Sequence, residues 1–199
     1  MVTLAERAAQ NTGRPKKIPG ESGVWIFILG DMSIFAVCFL VYILERAKQP
    51  ELFDSSQATL NQNYGALNTI VLLLSSLFVV LAVHQMRAAQ ESTARLMLVA
   101  AFVCGVTFVV VKAFEYHERI LAGQTPATNS FYLLYFVLTG LHLFHLILGL
   151  GVLAGLWLMG KPKSAMSSNQ WGFFEGGGCF WHMVDLLWLV LFPLIFLVR

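Results

Sequence analysis

Residues 175–188 read EGGGCFWHMVDLLW and lie inside a stretch that is otherwise apolar enough for a membrane. They concentrate the chain's most reactive groups: the carboxyls of Glu175 and Asp185, the imidazole of His182, and the indole N–H groups of Trp181 and Trp188. A charge at bilayer depth costs at least about 2.5–3.5 kcal/mol, so such groups persist only where they face protein, water or headgroups. On a helix Glu175 and His182 share a face. His182 and Asp185 are i,i+3, and Trp181 and Asp185 are i,i+4. Asp185 can therefore accept from its own helix or from a histidine on another.

The other candidates are also intramembrane polar groups. His142 and His145 are i,i+3 in TGLHLFHLILG (139–149). That spacing suits a metal, but a haem or copper site needs further histidines, and His84, His117 and His182 form no second pair. Packing histidines are the reading, with His142 or His145 expected within reach of Glu175, His182 or Asp185. Lys112, Glu115 and Tyr116 share a face in VKAFEYHERI, which predicts a Lys112–Glu115 ion pair. Asp31, in WIFILGDMSIF, lies about 12 Å deep along the first run. It is either a proton- or lipid-linked carboxyl or a partner for a neighbouring helix. Asn68, Thr69, Ser75 and Ser76 read as interhelical hydrogen-bonding groups, and Gly151 with Gly155 as a small-xxx-small pair. Cys38, Cys104 and Cys179 fall in separate runs with no CxxC spacing, and read as small apolar residues.

The elements that must position these groups are transmembrane helices. Hydrophobic residues make up 57% of the chain and charged residues 12%, against about 25% charged in an ordinary soluble domain. Five apolar runs are long enough to span a bilayer: 23–45, 65–88, 95–118, 130–159 and 175–198. The expected fold class is all-α, an integral membrane bundle of five transmembrane helices over residues 23–199, preceded by a polar, basic tail at 1–22. Gly176, Gly177 and Gly178 are candidates for loosening the start of the last helix.

Basic residues give the orientation. With the N-terminus inside, the inner segments carry Arg7, Arg14, Lys16, Lys17, Arg87, Arg95, Lys161 and Lys163, and the outer ones Arg46, Lys48, Arg119 and Arg199. The excess favours N-in/C-out. A net charge of +2 gives no reason to expect a nucleic-acid partner. No repeat suggests an inverted-repeat transporter.

The chain resembles subunit III of the haem–copper oxidases. The matching motifs are LNT (67–69) followed by VLLLSS (71–76), FEYHE (114–118), TGLHLFHLILG (139–149) and GFFEGGGCFWHMVDLLW (172–188), in the family's order. It looks like the five-helix form, which lacks the first two helices of the larger members. Asp31 stands where the family more often has glutamate. Gly176 to Gly178 replace the more usual alanines, and Cys179 replaces an aromatic. PGESGVWIFILGD, the ERAKQPELF loop (45–53), YFVLTGLHLFHL (135–146) and DLLWLVLFPLIFLVR (185–199) look most like the NorE-type branch associated with nitric oxide reductase.

The resemblance implies a non-catalytic accessory subunit in a bacterial inner membrane, part of a respiratory electron-transport complex. This chain would hold no cofactor. Haem, together with copper or non-haem iron, would sit in a catalytic partner subunit, and phospholipid would bind between the helices. Asp31 and Glu115 are the lipid- or proton-linked candidates. Asn68, His142, His145, Glu175, Trp181, His182, Asp185 and Trp188 are the polar packing core. The alternatives are subunit III of a five-helix cytochrome c or quinol oxidase and, more remotely, a self-contained proton or solute transporter resting on the intramembrane acids.

Overall fold

The computed structural model describes residues 22–159 and 166–198. Among these are six α-helices: α1 (Ser22–Lys48), α2 (Pro50–Gln57), α3 (Gln62–Arg87), α4 (Glu91–Leu121), α5 (Ser130–Met159) and α6 (Ser168–Phe192). A π-helical turn (Pro193–Leu197) follows α6. All but α2 are long and apolar enough to cross a membrane, with spans of 26 to 31 residues. The chain is an integral membrane protein. The tail expected over 1–22 lies, apart from Ser22, outside the described residues. So do Lys161, Lys163 and Arg199 of the charge count.

Two local features depart from hydropathy. The last helix begins at Ser168 rather than at 175 because a reciprocal capping box starts it. The Gln170 amide N–H donates to Ser167 Oγ at 3.3 Å, and the Ser167 N–H donates to Gln170 Oε1 at 3.0 Å. These bonds satisfy helix-end donors that a polar first turn would otherwise leave to water. The loop expected over 46–64 also contains α2. Pro50 opens it in the first turn, and Phe53 anchors it by edge-on packing against Tyr42 at 5.5 Å and Phe131 at 5.6 Å.

The central helix is α6, which packs against α5, α3 and α1. In its most apolar window 56% of residues are buried, against 17% for α1, so α6 is the hub and α1 the periphery. The three consecutive glycines do not interrupt α6. The first two each let a different neighbour close in, while the third leaves only ordinary contact distance. A Cβ on Gly176 would lie 3.1 Å from Val24 of α1, one on Gly177 2.8 Å from Val152 of α5, and one on Gly178 3.6 Å from Val79 of α3. Lipid is as apolar as leucine, so small residues and close backbones carry helix association here.

Trp181 shows the same device from the other side. Its fully buried indole is held between Gly105 of α4 and Gly149 of α5, where added Cβ atoms would come to 2.8 Å of the ring. By contrast, nothing lies within 4 Å of a Cβ on Gly151 or Gly155, so this chain does not use that pair for its own packing.

At the loop ends, polar clasps replace apolar contacts. Arg46 of α1 pairs with Asp54 of α2 at 2.8 Å and also donates to the Val198 carbonyl. Arg119 of α4 donates to the Thr59 carbonyl at 2.7 Å.

Gly149→Ala should destabilise the bundle by about 1–3 kcal/mol, because the added methyl would come to 2.8 Å of the fully buried Trp181 ring. Gly151→Ala should be neutral or stabilising by up to about 1 kcal/mol, since it relieves only helix entropy. Denaturation midpoints of the two variants in one detergent check this, and equal shifts would contradict it.

Candidate functional site

The deepest polar cluster is built on α4 and α5. Lys112 and Glu115 are 0% and 1% exposed, and Lys112 Nζ donates to Glu115 Oε2 at 3.0 Å. Tyr135 closes the group, donating its hydroxyl to Glu115 Oε1 at 2.6 Å and accepting from Lys112 Nζ at 3.2 Å. The ammonium also lies 4.8 Å from the centroid of the Tyr135 ring, 5.3 Å from Trp188, and 5.4 Å from both Tyr116 and Phe196. A desolvated cation over aromatic faces gains about 2 kcal/mol per favourable ring. Charge, hydroxyl and rings thus compensate a pair that the bilayer would reject.

The i,i+3 spacing predicts the ion pair, but not Tyr135, whose hydroxyl completes it from another helix. Tyr116 instead contacts the Thr139 hydroxyl at 2.6 Å. Glu115 faces the bundle interior, not the lipid side.

Asp31 and His145 form a second site. Asp31 Oδ1 lies 2.9 Å from His145 Nε2, and both side chains are 9% exposed. His145 Nδ1 lies 2.8 Å from the Leu141 carbonyl, which can only accept, so Nδ1 carries a hydrogen. The Asp31–His145 contact then needs one more proton, held on either the carboxyl or Nε2. In both cases the pair is neutral overall, which suits its depth.

The α6 polar face is split among several partners. Glu175 pairs with Arg87 of α3 at 2.7 Å, at the end where Arg87 reaches water. His182 Nδ1 lies 2.7 Å from Ser76 Oγ, and Trp188 Nε1 donates to Thr69 Oγ1 at 3.1 Å. Asp185 is buried, and neither of its oxygens has a hydrogen-bond partner among the described residues. His142 packs between the Phe108 and Trp188 rings at 5.5 and 5.2 Å, with both ring nitrogens unpartnered, and Asn68 is likewise buried and unpartnered.

The expected bond from an α5 histidine to Glu175, His182 or Asp185 does not form. The approach of α5 to α6 is filled by Trp181 against Gly149, and the i,i+3 step rotates His145 towards α1. The five expected residues therefore do not form one network. They serve three interfaces: α5 with α1, α6 with α3, and α5 with the α4–α6 ring stack.

His145 and His182 are engaged by Asp31 and Ser76, and His142 is wedged between two rings. Among the described residues no three His, Cys, Asp or Glu side chains converge as a metal site.

Lys112→Met should cost about 3–5 kcal/mol because it strands Glu115 as a buried charge. Adding Glu115→Gln should recover a large part of that loss. A double-mutant cycle on unfolding in detergent checks this, and additive single-variant costs would contradict the ring-caged pair.

Comparison with known proteins follows the same outline. The family model described as "Cytochrome c oxidase subunit III" matches residues 19–198. The chain is similar to cytochrome bo(3) ubiquinol oxidase subunit 3 of Buchnera aphidicola subsp. Acyrthosiphon pisum, 29% identical over 88% of this chain and 84% of that one. It is similar to cytochrome c oxidase subunit 3 of Synechocystis sp., 29% identical over 88% of this chain and 74% of that one. It also matches the heme-copper oxidase subunit I+III of Aeropyrum pernix, 27% identical over 89% of this chain and 22% of that longer protein. With a match spanning all five apolar helices, the chain belongs to the cytochrome c oxidase subunit III family.

Proposed function

We propose that this chain is the non-catalytic accessory subunit of a haem–copper oxidase-superfamily complex, seated beside a haem-bearing catalytic subunit. The observation that carries this reading is the family match over residues 19–198, on a chain whose ionisable membrane groups mainly bind one another. The Aeropyrum pernix relative, named as subunit I+III, supports a catalytic subunit I as the neighbour. Haem, with copper or non-haem iron, belongs to that partner, where it carries the electron transfer. This chain stabilises the partner and supports proton uptake, N-in/C-out in a bacterial inner membrane. The finer reading is the NorE-type branch, on the motifs PGESGVWIFILGD and YFVLTGLHLFHL. The names of the Buchnera and Synechocystis relatives favour the alternative of a quinol or cytochrome c oxidase. Nitric oxide and oxygen consumption by the co-purified complex separate the two.

Phospholipid is the second proposed partner. An apolar groove of about 510 Å³ runs between α1, α5 and α6, lined by Val24, Phe27, Leu148, Val152, Phe173 and Phe180 among others. Its apolar lining suits an acyl chain, and Asp31 lies on the same helix as Val24 and Phe27. Extracted lipid from the purified chain should include tightly held phospholipid, reduced by Val152→Trp.

Deleting the chain should leave the partner's haem spectrum intact and initial activity largely preserved, while turnover decays sooner or assembly weakens. Asp31→Ala should reproduce part of this. Loss of the haem signal in assembled complex would overturn the accessory reading. Proton or solute flux by the chain alone in liposomes would put a transporter in its place.

A further inference from the structure

A crevice of about 310 Å³ opens between α3 and α6, lined by Val80, Val83, His84, Arg87, Glu175 and Cys179 among others. Its polarity changes along its length. On α3 the lining runs from Arg87, the last residue of the helix, through His84 to Val83 and Val80. On α6 it runs from Glu175 to Gly178 and Cys179. The mouth is therefore charged and the walls behind it are mostly apolar.

The tryptophans place that mouth in the headgroup layer. Trp25 lies in the first turn of α1, Trp157 in the last turn of α5 and Trp171 in the first turn of α6. All three helix ends are on the face of the membrane where α3 ends at Arg87. Trp25 and Trp157 are exposed, and Trp171 is partly buried. Indoles gathered at one set of helix ends mark the membrane–water interface.

The charged pair at the mouth has capacity to spare. Among the described residues Arg87 makes one hydrogen bond, from Nη2 to Glu175 Oε1 at 2.7 Å. A guanidinium carries five N–H donors, and a carboxylate accepts at both oxygens. Arg87 is 51% exposed and Glu175 16%, and ion pairs open to solvent are held weakly. A cation and an anion thus stand side by side at headgroup depth, above an apolar slot. Arg87 alone would suit any phosphate. Glu175 beside it disfavours a purely anionic headgroup and calls for a cationic N–H donor.

We infer that this crevice binds a phospholipid whose headgroup joins a primary ammonium to its phosphate. The phosphate accepts from the Arg87 N–H groups that Glu175 leaves unused, with His84 at the rim. The ammonium donates to Glu175. An acyl chain lies along Val80, Val83 and Gly178. A choline headgroup has no N–H to donate, and a glycerol headgroup has no cation, so neither satisfies both residues. The crevice is distinct from the groove between α1, α5 and α6, because the two share no lining residue. It rests on this chain's own geometry and does not depend on which oxidase the chain serves.

The test uses the full chain, delipidated in detergent and titrated with phosphatidylethanolamine, phosphatidylcholine or phosphatidylglycerol. Native mass spectrometry counts the bound lipid, and circular dichroism confirms that each variant is folded. Phosphatidylethanolamine should bind tighter than either of the others by about tenfold or more, as expected where one charge-assisted hydrogen bond decides. Glu175→Gln keeps an oxygen for Arg87 but removes the charge the ammonium needs, so it should abolish the preference. Val80→Trp fills the slot from an exposed position and should abolish it too, which keeps the test decisive if Glu175→Gln does not fold. Val152→Trp, in the other groove, should leave the preference intact. Equal binding of the three lipids, or a preference for phosphatidylglycerol, overturns the inference. So does a preference that survives both Glu175→Gln and Val80→Trp. Displacement of phosphatidylethanolamine on assembly with a haem-bearing partner would give the crevice to a protein helix and overturn it as well. Whether that assembly occurs is read separately by co-purification.

Discussion

The Lys112–Glu115 pair is the interaction on which the rest of the bundle depends. Both residues belong to α4, yet the groups that make their burial tolerable come from α5 and α6 and from the π-helical turn. Tyr135 supplies the hydroxyl, and Trp188 and Phe196 supply ring faces beside those of Tyr116 and Tyr135. In hydrocarbon there is no water to fall back on, so the ion pair is affordable only when these elements are assembled. It therefore penalises any arrangement that separates α4 from α5 or lets the C-terminal turn fray. The same requirement accounts for the Gln62 side chain binding the Phe196 carbonyl at 3.0 Å, which holds the turn against the start of α3.

Apolar burial cannot do this work in a bilayer, because a leucine gains little by leaving lipid for protein. The surface of α1 shows the consequence: Ile26, Phe27, Leu29, Ile34 and Val37 stay exposed at no cost. Specificity falls instead to close approaches and polar contacts. Glycines at 105 and 149 receive Trp181, glycines at 176 and 177 receive α1 and α5, and a handful of hydrogen bonds set the rotation of each helix. The helices that carry the most such contacts are the most buried.

This division has a functional side. Most intramembrane ionisable groups are consumed by structure: Lys112 with Glu115, and Arg87 with Glu175. Asp31 is bonded to His145. Asp185 stands apart, buried with neither oxygen hydrogen-bonded among the described residues.

The sequence by itself determined the number of spanning helices, the all-α class and the family. Hydropathy is a property of contiguous residues, and the motifs are contiguous too. It also determined the Lys112–Glu115 pair, because an i,i+3 contact is fixed by helix geometry alone. It missed α2 and the early start of α6, where the deciding signals were a proline-opened turn anchored by Phe53 and a Ser167–Gln170 capping box within polar segments. Only the tertiary structure decided which helix each polar group answers to. His145 turned to Asp31 rather than to α6, His182 to Ser76, Glu175 to Arg87, and Tyr135 to Glu115. Those choices depend on the rotation and depth of one helix against another. In a membrane helix that is apolar almost all round, no amphipathic stripe records that rotation, so it emerges only when glycines, indoles and polar groups on different helices are brought into register.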